Sequence, residues 1–280
     1  MVGVATRRTL VRVLIYAIAV LFCVFSLGPV IWGLSTSFKP ESQIYQLPPR
    51  LIPNPITLAN YVKVLTDSAM LRDFFNSAVV SIGSVVISLF IGILAAYGFS
   101  RYRFPGARTL LATILFTRVL PRVTLIVPFY ITLRNLRLLN TYPGLILIYL
   151  IVVMPISVWL LKGFFDNLPY EIEEAAIVDG CTPMRLLLSI ILPLSGPAVA
   201  AVGMYTFILA WNEFLFALLV TTTNATRTIS VGLAFFIDEA GVHWGPLMAA
   251  SILMSIPAVV VFTLSQSLLV RGLSEGAIKG

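Results

Sequence analysis

The sequence predicts an all-α integral membrane protein with six transmembrane helices and a short helical hairpin between the fourth and fifth. Three observations carry that prediction. Of the 280 residues, 59% are hydrophobic and 11% charged, with a mean hydropathy of +0.97, whereas a soluble domain carries roughly 25% charged residues. A water-facing surface cannot be covered from so small a polar stock. Six apolar runs, residues 13–36, 78–99, 110–133, 145–163, 197–220 and 247–270, have about the 20 residues a helix needs to cross hydrocarbon. They are too long, and alternate too little, for barrel strands. Finally, the polar residues gather in islands, and the most acidic island lies between the fourth and fifth runs.

The first run follows Arg7, Arg8 and Arg12, so a cleaved secretory signal is one reading. Its apolar stretch exceeds the ~7–15 residues of a signal core and no small-residue cleavage site follows; an uncleaved first span is expected. The net charge of +7 is spread along the chain, with Arg101, Arg103 and Arg108 concentrated in the short second loop and Arg271 and Lys279 near the C-terminus. Cytoplasmic loops carry such an excess, which places both termini inside. No continuous basic face suggests nucleic acid. Cys23 and Cys181 fall in a span and in the acidic island and are not expected to pair. The single histidine, His243, reads as a solvated loop residue, and no metal cluster is evident.

Residues 38–76 form an outside loop on this topology. Pro40, Pro48, Pro49, Pro53 and Pro55 favour an extended course. From Thr57 the spacing of Tyr61, Leu65, Leu71, Phe74 and Phe75 suits short helices lying on the bundle.

The third run is interrupted. Arg118 and Arg122 flank Pro121, with Pro128 beyond, and one interrupted helix is the economical reading. On a continuous helix two residues four apart lie about 40° apart and share a face. Each arginine would cost about 2.5–3.5 kcal/mol at a bilayer centre. Two readings stand: a substrate-pathway or gate element, and inter-helix pairing or snorkelling. Asn212 and Glu213 belong to the same candidate pathway, and Glu213 in the fifth run could pair with one of these arginines.

The acidic island, residues 164–195, reads as two short helices around a sharp turn. Pro169 suits a first turn, and Glu171, Glu173 and Glu174 lie where the helix dipole favours anions. Gly180 can take the left-handed conformation that ends a helix. Thr182 and Pro183 read as the cap and first position of the next. Ala175 and Ala176 would allow close approach of a partner, so the hairpin is either a helix for a partner's groove or an ordinary interfacial turn.

The sequence Glu174-Ala175-Ala176, three residues, Gly180, nine residues, Ile190, one residue, Leu192-Pro193 resembles the EAA signature of bacterial ABC importer permeases. Phe38-Lys39-Pro40, Thr57-Leu58 with Asn60-Tyr61, Asn140-Thr141-Tyr142, Trp211-Asn212-Glu213-Phe214, and the tail from Gly272 to Gly280 resemble the carbohydrate-uptake, maltose-transporter-type branch. The resemblance implies a single type I importer transmembrane domain over residues 1–280 in a bacterial inner membrane. It implies that the hairpin, with Glu173, Glu174, Ala175, Ala176, Asp179 and Gly180, couples to an ATPase. It also implies a second homologous permease, two ATP-binding subunits holding ATP and Mg, and an external solute-binding protein, with no cofactor on this chain. Cys181 stands where such permeases commonly have alanine, and Arg118 and Arg122 depart from a mostly uncharged pattern.

No Gly-x-x-x-x-Gly-Lys-Ser/Thr loop occurs, so ATP hydrolysis is assigned to another polypeptide. The favoured cargo is a sugar or oligosaccharide, with an anionic polyol such as glycerol phosphate as the alternative. An ion-coupled secondary transporter lacks inverted repeats to support it, and an integral-membrane enzyme lacks an acid–base or metal constellation.

Overall fold

A computed structural model describes residues 2–239 and 241–277, and the side chains of residues 9, 11–239 and 241–266. The side chains of Arg7, Arg8 and Arg271, those of the tail motif from Gly272, and residues 278–280 with Lys279 lie outside what is described. The chain divides into two compact units, Met1–Asp67 with Phe235–Leu253, and Ser68–Ala234 with Met254–Gly280.

The first unit is dominated by α1 (Val2–Ser37). Its apolar side chains are exposed from Val11 to Trp32 and burial begins only at Gly33. A bare apolar cylinder of this length is satisfied by lipid, because its backbone is hydrogen-bonded internally and its surface needs no water. The loop that follows runs through its prolines to α2 (Ala59–Thr66), entered through Thr57, whose Oγ1 accepts from the Ala59 N–H at 3.1 Å. Two short antiparallel strands, Ile237–Asp238 and Gly241–Val242, precede α11 (Trp244–Ala277).

The second unit is built on α3 (Ser68–Arg101) against α6 (Tyr142–Asp166). Ser77, Ser81, Ser84, Ser88, Gly92 and Ala96 are all buried on α3, at spacings of three and four that form one helical row. Small side chains let backbones approach closely where burying apolar groups gives no advantage over lipid. The Ser88 and Ser157 hydroxyls meet at 2.8 Å, and a Cβ on Gly92 would stand 3.2 Å from Ser157 Cβ. The Asn140-Thr141-Tyr142 motif opens α6: Thr141 Oγ1 caps the Gly144 N–H, Tyr142 O–H donates to Asn76 Oδ1 at 2.6 Å, and Asn140 Oδ1 accepts from the Thr222 and Thr223 N–H groups.

Among the described residues, four helices, at Val11–Ser37, Ser68–Arg101, Tyr142–Asp166 and Trp244–Gln266, are long and apolar enough to span a membrane. The bent pair Pro183–Leu194 and Gly196–Trp211, at 78°, makes a fifth if taken as one span. The third run is not one helix with two arginines on a shared face. α4 (Ala107–Phe116) ends, a turn follows, a 3₁₀ segment spans Arg122–Leu125, and α5 (Ile126–Asn135) resumes. Pro121 causes this, since it donates no N–H and disfavours helical backbone before it. The fifth run is also broken, into α9 (Gly196–Trp211) and α10 (Leu215–Val220). Leu71, Phe74 and Phe75 belong to α3, which starts at Ser68 rather than after residue 76.

Candidate coupling hairpin and ion-pair sites

The acidic island folds as a hairpin. α7 (Tyr170–Val178) is entered from Pro169, carries Glu171 and Glu173 in its first turn, and ends at Gly180. Gly180 has φ +80°, a conformation that costs glycine nothing sterically. Thr182 then caps α8 (Pro183–Leu186), its Oγ1 accepting from the Arg185 N–H. The backbone widens to a π turn at Leu187–Ile191, continues through Leu192–Leu194, and bends into α9.

The candidate coupling residues divide between two faces. Glu174, Ala175, Asp179 and Gly180 are exposed, whereas Glu173 and Ala176 are buried. Ala176 packs with Tyr97, Phe165, Leu186 and Ile191. Glu173 accepts from Arg101 Nε at 2.5 Å, with side chains only 8% and 5% exposed respectively, and Tyr97 O–H reaches its other oxygen at 3.5 Å. Arg101, read from sequence only as part of a basic loop, is the centre of this anchor. It also donates to Ser100 Oγ and the Leu168 carbonyl and lies over the Tyr170 ring at 4.4 Å. Beside Glu174 on the outer surface stand Ile177 at 60% and Val178 at 87% exposure.

The pathway candidates fall at two helix breaks. Arg122 Nη1 donates to Glu213 Oε2 at 3.0 Å, joining the breaks in the third and fifth runs. Glu213 is buried: its Oε1 accepts from the Phe216 N–H in the first turn of α10, and its carbonyl accepts from Tyr149 and Ser230 hydroxyls. One carboxylate therefore both restarts a helix and neutralises an arginine. Asn212 is exposed and bonds back to the Ile208 carbonyl, so it stands apart from that ion pair. Arg118 is exposed, and its guanidinium reaches the Val152 carbonyl at 3.4 Å. Val152 lies ten residues into α6, about 15 Å along its axis, so this charge sits near mid-span.

Glu213→Ala is expected to lower complex stability more than Arg122→Ala, because it strips the α10 amide as well as the ion pair. A double-mutant cycle read by thermal unfolding checks this; equal losses from the two single variants would remove the capping role.

Comparison with known proteins gives a consistent picture. Residues 88–275 match the family described as binding-protein-dependent transport system inner membrane component. The chain is 36% identical to the trehalose/maltose transport system permease protein MalG of Thermococcus litoralis, covering 98% of this chain and 99% of that one. It is 34% identical to the sulfoquinovosyl glycerol transport system permease protein SmoH of Agrobacterium fabrum, covering 94% and 92%. Its fold is similar to a chain of a bacterial ABC transporter that imports the acidic polysaccharide alginate, with a TM-score of 0.80 at 23% identity over 91% of this chain and 95% of that chain.

Proposed function

The chain belongs to the binding-protein-dependent transport system inner membrane components, and from that premise we propose that it is the sugar- or oligosaccharide-translocating permease of an ATP-driven importer, coupled to its ATPase through the hairpin of α7 and α8. The observation that carries the coupling role is the two-sided α7. Glu173 and Ala176 fasten it to α3, while Glu174, Asp179, Ile177 and Val178 are left to a partner. Such a surface combines apolar area with charge that fixes orientation. Sugar transport is supported by the near full-length identity to permeases of the trehalose/maltose and sulfoquinovosyl glycerol systems.

On this reading the membrane is a bacterial inner membrane, the hairpin and both termini face the cytoplasm, and all six apolar runs cross. The complete transporter holds a second permease, two ATP-binding subunits carrying ATP and Mg, and an external binding protein. ATP-driven closure of the ATPase pair moves the hairpin, and the bundle exchanges between inward- and outward-open states because the two states bind the ATPase differently. Arg118 favours a second cargo class: a cation near mid-span suits an anionic group on the sugar.

The test is uptake of a panel of labelled di- and trisaccharides, neutral and uronate-bearing, into vesicles holding the assembled complex and its binding protein. Uptake should require ATP and the ATPase subunits. Uptake that persists without them on an ion gradient would sink the reading.

A further inference from the structure

The Phe38-Lys39-Pro40 and Asn60-Tyr61 motifs, which the coupling role does not use, lock together in the first unit. Asn60 Nδ2 donates to the carbonyls of Ser37 and Lys39 at 2.9 and 3.0 Å, and Tyr61 O–H meets Ser37 Oγ at 2.8 Å. The Phe38 and Tyr61 rings lie 5.0 Å apart, and the Thr57 N–H donates to the Phe38 carbonyl. A Cβ on Gly245 would strike Asn60 at 2.6 Å, so the glycine lets α11 close on this clasp.

The clasp holds the Lys39 backbone, and with it the side chain. Lys39 is 3% exposed and its Nζ lies 4.3 Å from the centre of the Trp32 ring. It lines a cavity of about 210 Å³ walled also by Thr36, Tyr45 and Trp244. Burial holds its ammonium below the ordinary lysine value. None of the ion pairs among the described residues involves it. A cation kept from water, with an aromatic face as its charge partner, gains more from an entering anion than a solvated lysine would.

The cavity's place selects the anion. Trp32 and Thr36 lie in the last turns of the Val11–Ser37 span and Lys39 two residues beyond it. The flank of α1 below them is exposed and apolar. With α1 taken as a span, the cavity stands at its end, where hydrocarbon gives way to headgroups, the depth at which Trp, Tyr and Lys concentrate. Phosphate is the abundant anion there. We propose that the Lys39 cavity binds a phosphate ester, with the ammonium on the phosphate oxygens and the indole and phenol rings against its glycerol carbons. A phospholipid headgroup and a free glycerol phosphate share that chemistry.

The experiment uses the purified transporter complex in detergent. Thermal unfolding is followed with added phosphatidylglycerol, diacylglycerol of the same chains, or glycerol 3-phosphate, for the unaltered complex and for Lys39→Met, Lys39→Arg and Lys63→Met. Lys63 is an exposed lysine of the same unit and controls for loss of charge. A midpoint raised by phosphatidylglycerol over diacylglycerol, lost in Lys39→Met and kept in Lys39→Arg and Lys63→Met, assigns a lipid headgroup. The same pattern with glycerol 3-phosphate alone assigns the free ester. If Lys39→Met does not assemble, native mass spectra of the unaltered, Lys39→Arg and Lys63→Met complexes decide by whether a phosphate-bearing adduct is retained. Equal shifts with and without Lys39, equal losses in Lys39→Met and Lys63→Met, or no phosphate-dependent shift or adduct would overturn the proposal.

Discussion

Glu173→Ala is expected to detach the hairpin from the bundle. Removing it leaves Arg101 charged in a site where both side chains are under a tenth exposed, and breaking such a pair from one side costs about 3–5 kcal/mol. Hydrogen bonds from Arg101 to Ser100 and Leu168 recover part of this, so the lower end is expected. A cysteine placed at Ala176, buried in the intact hairpin, should become open to a thiol reagent, and the amount of ATPase that co-purifies should fall. The double variant Arg101→Met, Glu173→Met should recover both readouts, since it removes the stranded charge while filling the volume. No recovery would mean that Glu173 itself touches the ATPase.

Glu174→Arg is expected to leave the fold intact and break coupling. Its side chain is exposed, and exposed substitutions usually change stability by no more than about 0.5 kcal/mol. Like charges set against one another across an interface cost several kcal/mol, and each ~1.4 kcal/mol is tenfold in affinity. Association with the ATPase should weaken by at least about tenfold, or hydrolysis should continue without uptake, while the thermal midpoint stays put. Co-purification and paired assays of hydrolysis and uptake measure it. Unchanged assembly and uptake would count against Glu174 as a docking residue.

These neighbouring glutamates show where the sequence was legible and where it stopped. Glycine, proline and threonine act locally, so the turn at Gly180, the cap at Thr182 and the interruption beside Pro121 could all be read from residue type. Which face of α7 is buried could not. Ile172, Ala175, Ala176, Ile177 and Val178 put apolar side chains all round the helix, leaving no stripe to separate Glu173 from Glu174. Arg101 lies 72 residues from its partner, and no local pattern pairs them. Arg118 and Arg122 look like helical neighbours by spacing, yet Pro121 makes that spacing meaningless. The pairing of Arg122 with Glu213 was open from sequence only as one of several combinations. The small-residue row of α3 did carry a signal, at serines 77, 81, 84 and 88, but hydropathy alone passes over it because serine is not apolar.

If the hairpin couples as proposed, the 78° bend after Leu194 governs how its movement would reach the rest of the chain. Two rods joined near a right angle act as a crank. A thrust along the Pro183–Leu194 arm arrives at the base of α9 as a sideways swing, with little lift along its axis. Because α9 ends at Trp211, where the Glu213 carboxylate starts the next helix, the far end of that swing falls on the charged joint. On the proposed coupling role, a pull on the hairpin would be spent on parting or closing the Arg122–Glu213 pair, without any helix having to slide along its own axis.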